Sequence, residues 1–494
     1  SRSIKISYMT LNKHTQTNHS GVNMFYISLL TLVAALGGLL FGYDTAVISG
    51  AEKSIQVYLV NSIGLSAFVH GATVSSALIG CIIGGLLSGV LSGRYGRKKT
   101  LLLASVLFFI SALGSGFPET FFFTRGEPSV ALLLVFNLYR IIGGIGVGLA
   151  SAVSPMYIGE IAPPNIRGRL VSINQFAIIF GMLVVYFVNY GIADGQSLEW
   201  INTTGWRYMF VSEAIPAALF GLSLAFVPET PRYLAMIHSD EKALQILTKL
   251  NGSKKVAFSI LKDIQLTIKG NTKAKLFSYG KKVIIIGVLL SIFQQFVGIN
   301  VVLYYAPRIF ESMGAVKDAS MFQTLIMGFI NVVFTVIAIM TVDRWGRKPL
   351  LITGSIGMAI GMIAIALLSF LDIIGIGTLV FIIIFTASFM MSWGPICWVL
   401  ISEIFPNKIR GQAVAIAVAA QWTANYIISS TYPPMMEYSS GLTYSFYALM
   451  SILSAIFVWK MIPETKGRTL EEMEGLWKKK VPVAEENEGA RERG

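Results

Sequence analysis

Two ionisable residues of opposite charge lie inside long apolar stretches of this sequence. Asp44 and Arg140 each stand among residues that are otherwise suited to a lipid bilayer. A charge at the centre of a bilayer costs at least about 2.5–3.5 kcal/mol, so each residue needs a partner or a watery cavity. If the two face each other, Asp44 alternates between an ionised, paired state and a protonated, released state, which makes it a proton switch. A static structural ion pair is the alternative. Glu213, in another apolar stretch, either tunes this pair or lies near a membrane interface.

Uncharged polar side chains form a second group inside the apolar stretches. They are Gln175, Gln294, Gln295, Asn300, Asn331, Gln421 and Asn425. A buried amide without a partner costs on the order of 1–3 kcal/mol, so these residues either join neighbouring helices or meet a polar ligand. Asn300 and Tyr304 are four residues apart and share one face of a helix. Amides both donate and accept hydrogen bonds, which suits a ligand with several hydroxyl groups.

The composition disfavours most classes of soluble protein. The 494 residues are 54% hydrophobic and 13% charged, with a mean hydropathy of +0.66, whereas a soluble chain is about 25% charged. Soluble enzymes, nucleic-acid-binding proteins and disordered hubs are therefore disfavoured. Cys81 and Cys397 both lie in apolar stretches, which argues against a disulfide framework and a cysteine-ligated metal. The histidines lie outside or at the edges of such stretches, so we expect no metal and no cofactor.

Twelve apolar stretches have about the length that a membrane-crossing helix needs. A helix takes roughly 20 residues to cross about 30 Å of hydrocarbon, and backbone polar groups in lipid must be paired within their own segment. The polar residues 1–23 precede the first stretch and are interpreted as a cytoplasmic tail. The stretches cover residues 24–52, 71–92, 100–117, 128–155, 170–193, 207–227, 283–306, 321–342, 350–371, 375–402, 411–434 and 441–462.

The basic residues predict the orientation in the membrane. The chain has a net charge of +13 and 39 Lys and Arg residues, most of them in the tails, the central polar segment and alternate short loops. By the positive-inside rule these regions are cytoplasmic, as are both termini. The expected partner of the positive charge is therefore the lipid surface, not nucleic acid. The basic residues expected on the outer side are Lys53, Arg125, Arg207, Arg308 and Lys317.

Three motifs recur in the same order in the two halves of the chain. The sequence GRYGRK at 93–98 returns as DRWGRK at 343–348, EIAPPNIRG at 160–168 returns as EIFPNKIRG at 403–411, and PET at 228–230 returns as PET at 463–465. Repeats of this kind indicate duplication, and two parallel six-helix halves are the architecture of major facilitator transporters, whose site lies between the halves. The predicted halves are residues 24–227 and 283–462, followed by a C-terminal cytoplasmic tail at 463–494.

The polar segment 228–282 separates the two halves. Residues 239–250 and 256–269 have apolar positions at helical spacing, which predicts short amphipathic helices in a cytoplasmic linker. A flexible charged linker is the alternative.

The repeated motifs place acids and bases together at the cytoplasmic ends of the helices. We interpret them as a breakable ionic gate that holds the two halves together when the site faces outward. A pure topology signal is the alternative. The gate residues are Arg94, Glu160, Arg167, Glu229, Arg347, Glu403 and Arg410. Gly394 and Pro395 interrupt the tenth stretch, where a missing N–H predicts a gating hinge or a static kink.

The motifs together resemble those of the sugar porter family of the major facilitator superfamily. The resemblance rests on GYD at 42–44, PETPR at 228–232, QQFVGIN at 294–300, WGP at 393–395 and PETKG at 463–467. Longer matching stretches such as GGLLFGYDTAVISG and YRIIGGIGVGLAS extend it across the chain. Gly93 departs from the pattern, since the family usually has an acid there, and this weakens the gate prediction for the first copy.

The resemblance implies roles for particular residues. Gln175, Gln294, Gln295, Asn300, Trp398 and Gln421 would contact the sugar, and Phe41, Tyr304, Asn331, Gly394 and Trp422 would line the pocket. Proton-coupled members of the family carry Asp at the position of Asp44, where facilitators carry a neutral residue. The acid therefore implies symport, with Asp44, Arg140 and Glu213 as the coupling group.

The expected function is proton-coupled import of a monosaccharide, D-xylose, across the bacterial inner membrane by a monomeric carrier. A uniporter of the same fold and a sugar sensor that does not transport are the alternatives. An enzyme is not expected, because no nucleophile–base set is visible in the sequence. D-glucose is an expected competitor, since one hydroxymethyl group is worth only about 1–3 kcal/mol in a pocket.

Overall fold

The computed structural model describes residues 21–163, 165–270, 274–373, 375–406, 409–466 and 475–477. Its secondary structure over these ranges is helical, as the all-α prediction requires. The predicted tails fall partly outside this part of the chain, because residues 1–20, 467–474 and 478–494 are not among the described ones.

The first half contains six helical units, called spans 1 to 6. Several consist of consecutive helices because short π-helical segments and bends interrupt them, as at Gln56–Val60 in span 1 and Ile201–Gly205 in span 6. The spans are Met24–Ile63, Ala67–Tyr95, Arg97–Gly116, Val130–Ile161, Arg167–Ala193 and Leu198–Ala225.

The second half repeats this arrangement as spans 7 to 12. They are Lys282–Phe296 with Ile299–Ser312, Lys317–Trp345, Arg347–Phe370, Gly377–Met391 with Trp393–Ile404, Arg410–Tyr438 and Ser440–Met461.

In the described part of the chain, eleven helical units are long and apolar enough to cross a membrane. Span 11 is less apolar than these eleven units, although its helix is 29 residues long. Its sequence contains Gln421, Asn425 and the prolines Pro433 and Pro434, and these polar or helix-breaking residues lower its apolar character. The polar residues matter for the site described below.

Spans 7 and 10 are each broken into two helices near the middle of the second half. In span 7 the break is at Gly298, which has a φ of 94°, a backbone conformation that glycine adopts without a steric penalty. In span 10 the break is at Ser392, and the second helix begins at Trp393. The sequence predicted the interruption at Gly394 and Pro395. Proline is tolerated in the first turn of a helix, where its missing N–H has no intrahelical partner to lose, so the break precedes it.

The described part of the linker contains three helices, Pro231–Met236, Asp240–Asn251 and Lys254–Lys269. They bury a small core of their own, made by Leu234, Ala235, Ala243, Leu247, Ala257 and Leu261. We call the ends of the spans near these helices the linker side and the opposite ends the far side.

The two halves meet along few helix pairs. Span 5 packs on span 8, span 2 packs on span 11, and the far end of span 1 packs on the second helix of span 7. Close packing is possible where side chains are small. A Cβ atom at Gly71 of span 2, for example, would lie 2.0 Å from the carbonyl oxygen of Ser430 in span 11. Residues on these facing spans are therefore the ones that can form a site shared by both halves.

Candidate functional site

Three ionisable side chains from three spans of the first half meet in its interior. Asp44 of span 1 and Arg140 of span 4 are at most 1% exposed, and so is Glu213 of span 6. Arg140 Nη1 donates to Asp44 Oδ1 at 3.3 Å, and Arg140 Nη2 donates to the Asp44 carbonyl oxygen at 3.0 Å. Glu213 faces both residues, and the Arg140 guanidinium lies 5.2 Å from the centre of the Phe210 ring. The structure thus brings together the three residues that the sequence assigned to proton coupling.

This group has more carboxylates than bases. Two ionised acids beside one guanidinium would leave a net negative charge in a dry interior, where unpaired charge is costly. The group is neutral when one of the two carboxyl groups holds a proton. In addition, Asp44 Oδ2, Glu213 Oε1 and Arg140 Nε have no hydrogen-bond partner among the described residues. The arrangement can therefore take up and release a proton, with a change in how Asp44 holds Arg140.

Gly143 allows Asp44 to approach span 4. A Cβ atom there would lie 2.3 Å from Ser111 Oγ of span 3 and 3.1 Å from Asp44 Oδ1. Sequence reasoning did not single out Gly143 or Ser111. The available signal was the glycine-rich stretch IIGGIGVG directly after Arg140, which indicates close helix contact.

A chain of amides follows the break in span 7. Gln294 Nε2 donates to the carbonyl oxygens of Trp393 and Gly394 at 2.9 and 3.3 Å, so it bridges the breaks of spans 7 and 10. Gln295 Nε2 donates to Gln294 Oε1 at 3.2 Å, and Asn300 Nδ2 donates to Gln295 Oε1. All three amides are at least nine-tenths buried. The amide cluster thus links the two broken helices through groups that can also bind hydroxyls.

Further polar atoms of the predicted pocket have no partner in the described structure. Gln421 Oε1, Trp422 Nε1 and Asn331 Oδ1 are buried and unpaired, which is costly unless a ligand or water completes them. Trp422 of span 11 also contacts Phe41 of span 1, with ring centres 5.6 Å apart, and this contact crosses between the halves. Tyr304 Oη accepts a hydrogen bond from Asn425 Nδ2 at 3.2 Å. The contact between Phe41 and Trp422 thus joins predicted pocket residues of the two halves.

Two predicted sugar contacts stand apart from this network. Gln175 on span 5 and Trp398 on span 10 are half-buried. Within the described residues, neither side chain has a hydrogen bond to the amide cluster. Their contact with a sugar remains a prediction.

On the linker side of the first half, acids cap and pair with the start of span 3. Arg97 forms an ion pair with Glu160, with Nη2 2.6 Å from Oε1. Thr230 Oγ1 donates to Glu160 Oε2 at 2.6 Å. Glu229 accepts backbone N–H bonds from Arg97 and Lys98 at 3.2 and 3.1 Å. Burial raises the pKa of the Glu229 carboxyl above its ordinary value, although these N–H donors oppose the shift.

The second half repeats this cluster almost atom for atom. Arg347 Nη2 pairs with Glu403 Oε1 at 2.9 Å, and Thr465 Oγ1 donates to Glu403 Oε2 at 2.6 Å. Glu464 accepts the backbone N–H groups of Arg347 and Lys348 at 3.1 and 3.0 Å. Burial opposes ionisation here too, but the backbone N–H donors prevail and the pKa of the Glu464 carboxyl lies below its ordinary value.

The pairs of Arg97 and Arg347 each stay within one half of the protein. The structure places the other predicted gate residues around them. Arg94 is exposed, and its carbonyl oxygen accepts from Tyr233 Oη. Arg167 and Arg410 donate to backbone carbonyl oxygens of their own half, Gly159 and Phe405. The buried partner of Glu160 is thus Arg97. The predicted set of gate residues contained Arg94 in its place. An ionic gate between the halves stays a prediction for a different conformation.

The far side is closed by contacts between the halves. Tyr186 Oη of span 5 donates to the carbonyl oxygen of Leu303 at 3.0 Å, and Lys317 Nζ donates to the carbonyl oxygen of Gln196 at 2.7 Å. Ion pairs between spans 1 and 7 add to this closure. Among the described residues, the ion pairs that cross between the halves lie on the far side, whereas those of Arg97 and Arg347 on the linker side each stay within one half.

The sequence matches the family model described as sugar (and other) transporter over residues 30–477. It is 52% identical over 474 residues to the D-xylose-proton symporter of Escherichia coli, a match that covers 92% of this chain and 96% of that protein.

Solved structures show the same fold. The inward-open conformation of the xylose transporter XylE from E. coli matches with a TM-score of 0.84 and 53% identity, covering 92% of this chain and all of that one. A second XylE structure, described as a major facilitator superfamily proton:xylose symporter bound to 6-bromo-6-deoxy-D-glucose, matches with a TM-score of 0.79 at 53% identity and the same coverage. The predicted major facilitator fold is confirmed.

Proposed function

Because the chain belongs to the sugar transporter family, we propose that it imports D-xylose together with a proton by alternating access. The observation that carries the proposal is the buried group of Asp44, Arg140 and Glu213, together with the buried, unpaired polar atoms of Gln421 and Trp422. A carrier without proton coupling has no need for two acids and one base in a dry interior. The relatives described as xylose–proton symporters support the same sugar and the same ion.

The geometry suggests how a proton and a sugar are coupled. Protonation of Asp44 would weaken its bond to Arg140 Nη1 and so free this donor. Sugar hydroxyls would complete Gln421 Oε1 and Trp422 Nε1 and compete for the amides of Gln294 and Gln295. Since Gln294 bridges the breaks of spans 7 and 10, a sugar that displaces it changes the link between these two helices. The membrane potential adds about 2.3 kcal/mol per proton per 100 mV.

The remaining expectations are part of this proposal. We place the linker helices and both termini in the cytoplasm and the carrier in the inner membrane of a bacterium, as the basic residues predict. It acts as a monomer in contact with anionic lipid, and the proton gradient drives it without a cofactor.

Transport by purified protein in liposomes tests the proposal. Labelled D-xylose is followed with an inward proton gradient and again after the gradient is abolished. The wild type should accumulate xylose only with the gradient. Asp44→Asn should lose accumulation but retain xylose exchange, because the sugar site is intact. The control is Asp372→Asn, which removes an exposed acid far along the chain from this group.

Other outcomes would contradict the proposal in distinct ways. Equal equilibration with and without the gradient would identify a uniporter. Sugar binding without any flux would identify a sensor. Unlabelled D-glucose should reduce xylose uptake, since the two sugars differ by one hydroxymethyl group.

A further inference from the structure

A second buried ionic cluster joins the two halves on the far side. Glu52 of span 1 contacts His70 of span 2 and Arg308 of span 7. Its Oε1 accepts from Arg308 Nε at 2.7 Å, and its Oε2 accepts from Arg308 Nη2 at 2.9 Å and faces His70 Nε2 at 2.7 Å. Glu52 and His70 are fully buried, and the Arg308 side chain is 24% exposed. This outer cluster belongs neither to the Asp44 group nor to the amide cluster.

The charged neighbours of the outer cluster are already paired. Lys53 of span 1 forms an ion pair with Glu311 of span 7, so Glu311 is not free for another cation. Gln56 Oε1 accepts from Arg308 Nη2. Two phenols also face Arg308, and both are hydrogen-bonded elsewhere, Tyr305 to the carbonyl oxygen of Ser429 and Tyr432 to Tyr444.

His70 and Arg308 therefore share one carboxylate. The Nε2 atom of His70 lies 2.7 Å from Glu52 Oε2, and its Nδ1 has no partner among the described residues. A second proton on the ring would put a further cation beside Arg308 and Lys53 and leave a buried N–H group unpaired. A further cation beside Arg308 and an unpaired buried N–H group are both unfavourable.

Opening of the far side reverses this balance. Span 7 carries Arg308 away, whereas His70 stays with Glu52 because both belong to the first half. Leaving a buried carboxylate without its cation is strongly unfavourable. Histidine ordinarily changes charge near pH 6.5, and an imidazolium at His70 would replace Arg308 as the cation that Glu52 needs. A proton on His70 and the bond of Arg308 to Glu52 thus oppose each other, and such coupling is reciprocal.

We propose that Glu52 and His70 form a second proton-binding site, in which a proton on His70 displaces Arg308 and opens the far side. This inference rests on the alternating access of the proposed function. It means that the outside pH that loads Asp44 also favours an outward-facing pocket.

A cysteine reporter between the halves tests the proposal. Thr324 of span 8 is buried and lines a small cavity with Pro307, the residue before Arg308. Thr324→Cys in a background with Cys81→Ser and Cys397→Ala is labelled by a membrane-impermeant maleimide, without sugar or gradient. Ser62→Cys, at an exposed position on the same side, corrects for the pH dependence of thiol reactivity.

The corrected labelling rate should rise as the pH falls from 7.5 to 5.5, by at most about tenfold per pH unit for one competing proton. His70→Gln keeps a donor for Glu52 but cannot become charged, so its rate should stay low and nearly constant. Glu52→Gln removes the bond to Arg308, so its rate should be high at both pH values. In Asp44→Asn the absolute rate is expected to differ, because Asp44 belongs to the coupling group, but the rate should still rise as the pH falls.

A wild-type pH response in His70→Gln would overturn the proposal, as would low labelling of Glu52→Gln. If Glu52→Gln fails to give a single species in size-exclusion chromatography, Arg308→Gln replaces it with the same expected high rate. A response lost in Asp44→Asn would assign the effect to Asp44 and also overturn the proposal. Because labelling requires no sugar flux, failure of xylose–proton symport in liposomes would be seen separately.

Discussion

Arg97 and Glu160 form a bidentate ion pair on the linker side of the first half, with Arg97 Nε 2.9 Å and Nη2 2.6 Å from the carboxylate oxygens. The second half has the equivalent pair, Arg347 with Glu403. Each pair fastens the start of one span to the end of another in the same half. The repeated motifs therefore keep each half rigid on the linker side, which is what a rocking movement of two bodies requires.

The ion pair of Arg97 predicts a difference between two neighbouring arginines. Arg97→Gln should reduce xylose uptake and lower thermal stability, because it leaves a nearly buried Glu160 without its cation, a change worth about 3–5 kcal/mol for a fully buried pair and less here. Arg94→Gln should change both by little, since Arg94 is exposed. Uptake in liposomes and thermal unfolding in detergent measure the two effects. Equal losses in both variants would contradict the assignment.

A side chain at position 143 should impair proton coupling by crowding Asp44. Gly143→Ala puts a methyl group into the contact with Ser111 and Asp44, and overpacking of this kind typically costs about 1–3 kcal/mol. Gradient-driven accumulation of xylose should fall more than exchange does. Gly89→Ala is the matched control, because a Cβ at Gly89 would meet no neighbouring side chain or other helix of the described structure within 4 Å. The prediction fails if accumulation in the two variants is the same.

Loss of the Gln294 side-chain amide should weaken sugar binding and also loosen span 10. Gln294→Leu removes the donor that bridges the carbonyl oxygens of Trp393 and Gly394. Losing a buried hydrogen bond costs on the order of 1–3 kcal/mol, which corresponds to a roughly ten- to hundredfold weaker Kd for xylose if the whole loss falls on binding. Isothermal titration calorimetry measures the Kd. Gln196→Leu, at an exposed position, should leave it unchanged.

The pKa values of Glu229 and Glu464 are shifted in opposite directions, so the two carboxyl groups should change the stability with pH in opposite ways. The pKa of Glu229 is raised above 4.5 by burial, so its contribution is present at low pH and is lost as the pH rises through the raised pKa. The pKa of Glu464 is lowered below 4.5 by backbone N–H donors despite burial, so its contribution is present above 4.5 and is lost as the pH falls through the lowered pKa.

Thermal unfolding in detergent between pH 4.5 and 7.5 checks this pair. At pH 7.5 Glu464→Gln should be less stable than the wild type, and Glu229→Gln should be equally stable or slightly more stable. Each difference should be under about 1 kcal/mol, because both carboxyl groups are partly exposed. Both should shrink at pH 4.5. A larger loss for Glu229→Gln than for Glu464→Gln at pH 7.5 would show that the N–H donors, not burial, dominate at Glu229.

Much of the site could be predicted from the sequence because a polar residue in lipid is conspicuous. Asp44 and Arg140 each need an opposite charge or water inside the membrane, and the structure pairs them with each other. The amides of span 7 follow the same logic, since their spacing places them around one broken helix. Glu52 and His70 gave a weaker signal, because residues at the end of an apolar stretch are indistinguishable from interfacial ones. Their burial depends on Arg308, which is more than 200 residues away along the chain.

The helical fold, the duplication and the family follow from the amino-acid sequence alone, because apolar length and repeated motifs are local properties of the chain. The pairing of charges, in contrast, depends on how the spans pack against one another. Glu160 pairs with Arg97 and not with Arg94, because the side chain of Arg97, at the start of span 3, points inward. The direction of a side chain at a helix end depends on the packing of the neighbouring span. The closure of the far side also depends on tertiary structure, since Glu52 and Arg308 belong to different halves. A movement between the halves can form or break their ion pair without changing the helices themselves.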